Sequence, residues 1–104
     1  MEVFEAVSDP TRRRILELLA DGEHSAGELG AAFPVTRPAI SRHLRILREG
    51  GLVECRKDAQ RRIYRLNPNP LQEVDAWLDR YRGYWRGNLD RLEDHLRKKT
   101  KGKS

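Results

Sequence analysis

Apolar and polar residues alternate most regularly in the stretch VTRPAISRHLRILREGGLV. Ile40, Leu44 and Leu47 recur at the i, i+4, i+7 spacing of one buried helix face. Thr36 is suited to cap the start of this helix, because its hydroxyl can accept a backbone N–H that has no helical partner. The glycine pair that follows predicts a left-handed stop. The pattern therefore predicts one amphipathic helix.

The opposite face of this helix is basic. This face carries Ser41, Arg42, Arg45 and Arg48. Within the helix, no acidic residue precedes Glu49. Arginines and small hydroxyl side chains are the groups that read base edges in the DNA major groove. The alternative interpretation is an ordinary solvated helix face. We predict DNA contacts from six residues of this helix and its cap, namely Thr36, Arg37, Pro38, Ser41, Arg42 and Arg45.

The residues before the basic helix predict three more helices. Residues 2–7 form a short first helix, and Asp9-Pro10 supplies a cap and first residue for a second. Ser25-Ala26-Gly27-Glu28 is a capping box that starts a third helix. Two short helices joined by a tight connection, with the second one basic, are typical of a helix-turn-helix.

After the basic helix the apolar period changes from 3.6 to 2. Residues 52–57 and 61–66 read as two strands, and residues 58–60 join them as a hairpin. A hairpin that follows a recognition helix is a wing. Its basic tip predicts DNA contacts from Arg56, Lys57, Gln60, Arg61 and Arg62.

From Leu71 to about Lys98 the helical period returns, with apolar residues three and four positions apart. Such a helix spans roughly 40 Å, which is longer than so small a body needs for its own core. We predict that it forms a dimer interface, completed by the first helix. The predicted interface residues are Phe4, Leu78, Tyr81, Trp85, Leu89, Leu92 and Leu96.

Composition agrees with a small DNA-binding protein. The chain has 104 residues, of which 36% are charged, and its net charge of +5 favours a nucleic acid over a membrane as partner. This length predicts one domain over residues 1–97, followed by a basic disordered tail at 98–104. Neither a membrane span nor an export signal is apparent, so we expect a cytoplasmic protein. The Arg12-Arg13-Arg14 run is expected to be exposed in part and is interpreted as solvated or salt-bridged surface, with a phosphate contact as the alternative.

Metal-binding and catalytic patterns are weak. Cys55 and the three histidines show no metal-ligand spacing, so we predict no metal and no cofactor. The set Asp90, Glu93, Asp94 and His95 resembles half of a helical metal site without its partner. Ser41 and His43 point apart on a helix, which argues against an enzyme. His43 is interpreted as a packing residue, with base contact as the alternative.

Three stretches resemble the ArsR-type bacterial transcriptional regulators: SDPTRRRIL, SRHLRILREGGLV and YRLNP. The resemblance covers residues 2–96, and the DPTRRR start together with the NPxP after the wing resembles the non-metal autorepressor subgroup. It implies a homodimer that binds an inverted-repeat operator and represses. Ser25 and Gly27 stand where metal-sensing members have C-x-C. Ala59-Gln60 replaces the Gly-Arg usual at the wing turn, so Arg61 or Arg62 would substitute there.

The predicted fold is mostly α with a small β-hairpin, a winged helix-turn-helix that is dimeric through its terminal helices. The predicted function is a sequence-specific DNA-binding repressor whose partners are an operator duplex and a second copy. The sequence identifies no inducer. Two alternatives stay open: a metal- or redox-responsive repressor of the same fold, and a protein-interaction winged helix without specific DNA binding.

Overall fold

The computed structural model describes residues 3–101, apart from the side chains of residues 88–91, 94 and 97–101. Its elements confirm the predicted order of helices and hairpin. In chain order they are α1 (Val3–Ala6), α2 (Pro10–Ala20), β1 (His24–Ser25), α3 (Ala26–Ala32), α4 (Arg37–Glu49), β2 (Val53–Asp58), β3 (Arg61–Leu66) and α5 (Leu71–Lys101).

Side-chain caps determine where three of the helices begin. The Asp9 carboxylate accepts the backbone N–H of Arg12 at 3.1 Å and caps α2. The Ser25 hydroxyl and the Glu28 carboxylate form both halves of the predicted capping box of α3. The Thr36 hydroxyl accepts the N–H of Ala39 at 3.2 Å and caps α4. All three predicted caps are therefore confirmed.

The stop of α4 differs in detail from the prediction. Gly50 keeps a right-handed backbone with φ −78°, and its N–H still donates to the carbonyl of Ile46 at 3.0 Å. Only Gly51 is left-handed, with φ +75°. The positive φ explains the glycine at position 51, because other residues are strained there.

The sheet has three antiparallel strands in the order β1-β3-β2. The pairing of β2 with β3 ends at Asp58 and Arg61, so the turn consists of Ala59-Gln60 alone and Asp58 belongs to the ladder. The sequence prediction of a two-stranded hairpin missed β1, which pairs His24 with Tyr64. A strand of two residues is too short to show an alternating pattern.

The core belongs to a unit formed by Met1–Val74. It buries the predicted stripe of α4 together with residues of α1, α2, α3 and the hairpin, and Leu71 and Val74 of α5 pack against it. The buried apolar side chains are Val3, Ala6, Ile15, Leu16, Leu19, Leu29, Ile40, Leu44, Leu47, Leu52, Val53, Ile63 and Tyr64. The prediction of a single domain over 1–97 stays a prediction.

The second unit, Asp75–Ser104, contains the rest of α5. The helix continues to Lys101, so residues 98–101 of the predicted tail are helical instead of disordered. Lysine is a good helix former, and positive charge near a helix C-terminus is favourable, which explains the longer helix. Residues 102–104 lie outside the described residues. Within the described chain, no helix is long and apolar enough to span a membrane.

Candidate nucleic-acid interface

Helix α4 has one buried face and one exposed basic face. Ile40, Leu44 and Leu47 are buried in the core, as predicted from their spacing. Every predicted DNA-contacting residue on α4 and its cap is exposed, namely Thr36, Arg37, Pro38, Ser41, Arg42 and Arg45. Burial of the apolar stripe therefore fixes which side chains of α4 reach the solvent.

A groove of about 540 Å³ lies between α3, α4 and β3. Three predicted residues of α4 line it, Arg37, Ser41 and Arg45, and Arg62 of the predicted wing set lines it from β3. The α3 side of the groove carries only small residues, namely Ala26, Gly27, Gly30 and Ala31. The structure thus brings the recognition helix and one wing arginine to a single concave surface.

Two further polar residues line this groove that were absent from the predicted site, Arg48 and Tyr64. Arg48 lies one turn after Arg45 and is exposed. Its i+3 spacing on the basic face was a usable signal. Tyr64 is a residue of β3, and no pattern in the sequence indicated that it would line the groove. Arg42 is exposed on α4 without lining the groove.

The wing is less uniformly basic than its sequence suggests. All five predicted wing residues are exposed. However, Arg56 forms an ion pair with Glu23 at 2.5 Å, and Arg61 forms one with Glu28 at 3.2 Å. Within the described part of the chain, Lys57 and Arg62 form no ion pair. Positive charge on the wing is therefore unevenly available to a partner.

Glu28 connects the capping box to the wing. Its Oε1 accepts the backbone N–H of Ser25 at 3.0 Å and a guanidinium N–H of Arg61 at 3.2 Å. Its Oε2 lies 3.4 Å from Nδ1 of His24. Hydrogen bonds from the backbone and hydroxyl of Ser25, and then from His24, hold the pKa of Glu28 below its usual value. Glu28 is therefore a persistent negative charge beside the wing.

Arg12 is buried, so the interpretation of the Arg12-Arg13-Arg14 run as solvated or salt-bridged surface, or as a phosphate contact, was wrong for this one residue. Its guanidinium is buried and donates to the backbone carbonyls of Glu5 and Ala6 at the end of α1. The Ala6 carbonyl is the last of the four-residue helix α1, where carbonyls lack i+4 partners, and the Glu5 carbonyl also accepts the backbone N–H and the hydroxyl of Ser8. The sequence carries no signal for such acceptors, whereas the neighbouring Arg14 is exposed as predicted.

His43 and Cys55 both pack inside the fold. Nδ1 of His43 lies 3.2 Å from a guanidinium nitrogen of Arg12, which confirms its interpretation as a helix-packing residue. Cys55 packs against the core and is paired with Tyr64 across the hairpin. The pKa of Tyr64 is raised, first because its hydroxyl is removed from solvent and second because of a hydrogen bond with Cys55. No metal-binding cluster occurs among the described residues. The side chains of Asp90 and Asp94 are outside them.

Helix α5 carries large exposed apolar side chains. Leu92 and Leu96 are 54% and 53% exposed, Tyr81 and Trp85 are also exposed, and Leu78 is half-buried. Trp77 and Tyr81 stack edge to face with ring centroids 5.2 Å apart. Phe4 packs partly against the core of the first unit. The side chain of Leu89 lies outside the described residues.

A capped helix pair whose second helix is basic on its outer face, followed by an antiparallel hairpin, defines a winged helix-turn-helix. This is a class of DNA-binding proteins. A family model described as a helix-turn-helix domain matches residues 7–56.

Relatives then identify the family. The transcriptional repressor SdpR of Bacillus subtilis is 41% identical over 76 residues, which covers 73% of this chain and 84% of the relative. A crystal structure of a possible transcriptional regulator for arsenical resistance has a TM-score of 0.71 at 46% identity, covering 88% of this chain and 93% of the other. An ArsR-like transcriptional regulator from Rhodococcus has a TM-score of 0.66 at 36% identity, covering 88% and 87%. The chain belongs to the ArsR family of winged helix-turn-helix transcriptional regulators.

The predicted family and the winged helix-turn-helix fold are therefore confirmed, whereas dimerisation through the terminal helices stays a prediction. The family consists of DNA-binding regulators, so the chain is a transcriptional regulator and not an enzyme.

Proposed function

We propose that this protein represses transcription by binding, as a homodimer, to an inverted-repeat operator. The observation that supports this most directly is the groove shared by α4 and β3, in which Arg37, Ser41, Arg45 and Arg62 meet. A relative of similar length is named a transcriptional repressor. A repressor must bind its operator more tightly than the many other sequences in the genome. Base contacts are therefore needed in addition to phosphate contacts.

Base readout is assigned to α4. Arg45 and Ser41 lie on its solvent face, next to a groove bounded on the α3 side by small residues. An arginine that reaches a guanine in the major groove can form two hydrogen bonds to its edge, which discriminates against other bases. The arginines of the wing are assigned to phosphates or to the flanking minor groove.

Dimerisation is assigned to α5. The half-exposed side chains of Leu92 and Leu96, with Tyr81 and Trp85, form a row of apolar groups that soluble monomers rarely leave in water. Contact with a symmetry mate would bury this surface at roughly 25 cal/mol per Å². A homodimer that reads two half-sites one turn of DNA apart, about 34 Å, has two-fold symmetry, so its operator should be palindromic.

Selection of bound duplexes from a random pool tests the operator and its symmetry together. On the selected duplex, Arg45→Ala and Arg42→Ala should each weaken binding by about 1–3 kcal/mol and relax preference at one position per half-site. Arg14→Ala, which removes an exposed arginine of α2, is the matched control for loss of positive charge. Unchanged specific affinity in both α4 variants would contradict the assignment of α4.

Sedimentation at micromolar concentration tests the dimer. The double variant Leu92→Glu with Leu96→Glu should sediment as a monomer and lose specific binding, because two charged groups per chain would face each other across the interface. The control is Glu93→Gln, a change on the same helix turn that adds no charge. A wild-type monomer that binds the selected operator tightly would contradict the proposal. A cytoplasmic location stays a prediction.

A further inference from the structure

A buried arginine of α2, Arg12, joins the end of α1 to α4. Nε of Arg12 donates to the carbonyl of Ala6 at 2.9 Å, and Nη2 donates to the carbonyl of Glu5 at 3.0 Å. Its Nη1 lies 3.2 Å from Nδ1 of His43, in the middle of α4. All three guanidinium nitrogens are thus engaged, two by the end of α1 and one by the recognition helix.

This contact depends on the protonation state of His43. A guanidinium carries only donors, so the hydrogen bond exists only when Nδ1 of His43 carries no proton and accepts. A second proton would occupy Nδ1, remove the hydrogen bond and place two cations 3.2 Å apart. Histidine is the side chain that ordinarily changes charge between pH 5 and 8.

Among the described residues, the charged groups within hydrogen-bonding or ion-pairing distance of Nδ1 of His43 are Arg12, in α2, and Asp9, at the cap of α2. Oδ2 of Asp9 is 3.9 Å from Nδ1, farther than the Arg12 nitrogen, and it already accepts the backbone N–H of Arg12. From α1 only the carbonyls of Glu5 and Ala6 reach this cluster, through Arg12. Asp9 would therefore offset part of the repulsion without replacing the lost hydrogen bond.

His43 lies between Ser41 and Arg45, two of the side chains of α4 that line the groove. A shift of α4 at His43 would move both of them, and base contacts depend on their placement. We infer that Arg12 and His43 are positioning residues for DNA recognition, and that protonation of His43 releases α4 and lowers the discrimination of the operator. This inference rests on the base-reading role proposed for α4.

The test compares operator affinity with affinity for an unrelated duplex, at about pH 7.5 and about pH 5.5. The ratio is used because added positive charge at low pH strengthens both affinities alike. Three chains are compared: wild type, His43→Asn and His43→Leu. Asn places its carbonyl oxygen at the position of Nδ1, accepts at both pH values, and has a helix propensity similar to that of His. Leu has no acceptor.

The wild-type ratio should fall about tenfold on acidification, as expected for the loss of one hydrogen bond to a charged group. His43→Asn should keep its ratio, and His43→Leu should show the lowered ratio already at the higher pH. His24→Asn, which removes the histidine of β1, should retain the wild-type fall. Equal pH profiles for wild type and His43→Asn, or an unchanged ratio in His43→Leu, would overturn the inference.

A measurement without DNA separates this inference from the proposed function. Nuclear magnetic resonance of the ring nitrogens should show the Nε2–H form of His43, and the backbone amides of α4 should shift on acidification in wild type but not in His43→Asn. If wild type binds no selected duplex, the proposed operator function fails, and these spectra alone decide the inference. An Nδ1–H ring, or amide shifts equal in both chains, would overturn it.

Discussion

Glu28 forms an exposed ion pair with Arg61 of the wing. Replacing Glu28 by a neutral residue should strengthen DNA binding. The carboxylate of Glu28 is the nearest acid to Arg61, with 3.2 Å between Oε1 and the guanidinium nitrogen. A phosphate that approaches Arg61 must displace this carboxylate and also meets its negative charge. Glu28→Gln removes the charge while it keeps the capping box, because glutamine accepts the same backbone hydrogen bond.

The size of the effect follows from the exposure of the pair. The side chains of Arg61 and Glu28 are 61% and 52% exposed, so the pair is screened by solvent and salt. Exposed pairs of this kind are weak, and their removal should raise affinity for any duplex by roughly two- to fivefold at about 0.1 M salt. The gain should fade as salt increases, because both the pair and the repulsion from phosphate are screened.

Fluorescence anisotropy with a labelled duplex over a range of salt concentrations measures this gain. Glu17→Gln is the matched control, since it changes the net charge equally at an exposed acid of α2 that pairs with no wing arginine among the described residues. The double variant Glu28→Gln with Arg61→Ala should lose the gain, because the two residues act as one pair. A gain no larger than that of Glu17→Gln, or one that survives without Arg61, would refute this reasoning.

Three further predictions concern stability. Gly51→Ala should destabilise the fold by about 1 kcal/mol in urea unfolding, because residue 51 has φ +75°. Ala59→Gly should stabilise the fold by up to ~1 kcal/mol, because Ala59 has φ 57°. A Gly51→Ala variant as stable as wild type would contradict the first expectation, and a destabilised Ala59→Gly variant would contradict the second. Asp9→Ala should cost about 1 kcal/mol as a lost cap, and Asp9→Asn much less. Burial opposes ionisation of Asp9, but the backbone hydrogen bond from Arg12 and nearby positive charge lower its pKa below 3.8, and the pKa of Glu28 lies below 4.5. The stability that these carboxylates contribute is present above those usual values and is lost as pH falls through the lowered ones, so acid unfolding of the variant Asp9→Asn with Glu28→Gln should depend less on pH.

Local signals in the sequence accounted for most of the elements. Asp9, Ser25 and Thr36 cap the helices that their positions predicted, because a cap depends on residues only two or three positions away. The buried stripe of α4 followed from a repeat within one helix. Such features are determined by neighbours along the chain, and for that reason they can be read without the fold.

Features that depend on residues far apart in the chain could not be predicted. The strand β1 forms because His24 meets Tyr64, and nothing within His24-Ser25 itself resembles a strand. The burial of Arg12 depends on the carbonyls of α1 and on His43, which is 31 positions away. A run of three arginines reads as surface because charged side chains are rarely buried unless paired.

The same distinction applies to the candidate site, where residues of one type have different partners. Arg61 and Arg62 are adjacent and both exposed, yet Arg61 pairs with Glu28, 33 positions earlier, whereas Arg62 lines the groove beside α4. Arg56 likewise pairs with Glu23. Counting basic residues on the wing therefore overstates the charge available to DNA, since two of its arginines must exchange a carboxylate for a phosphate. Among the wing arginines, Arg62 needs no such exchange, and its position in the groove makes it the one best placed to act together with Arg45 on the same duplex.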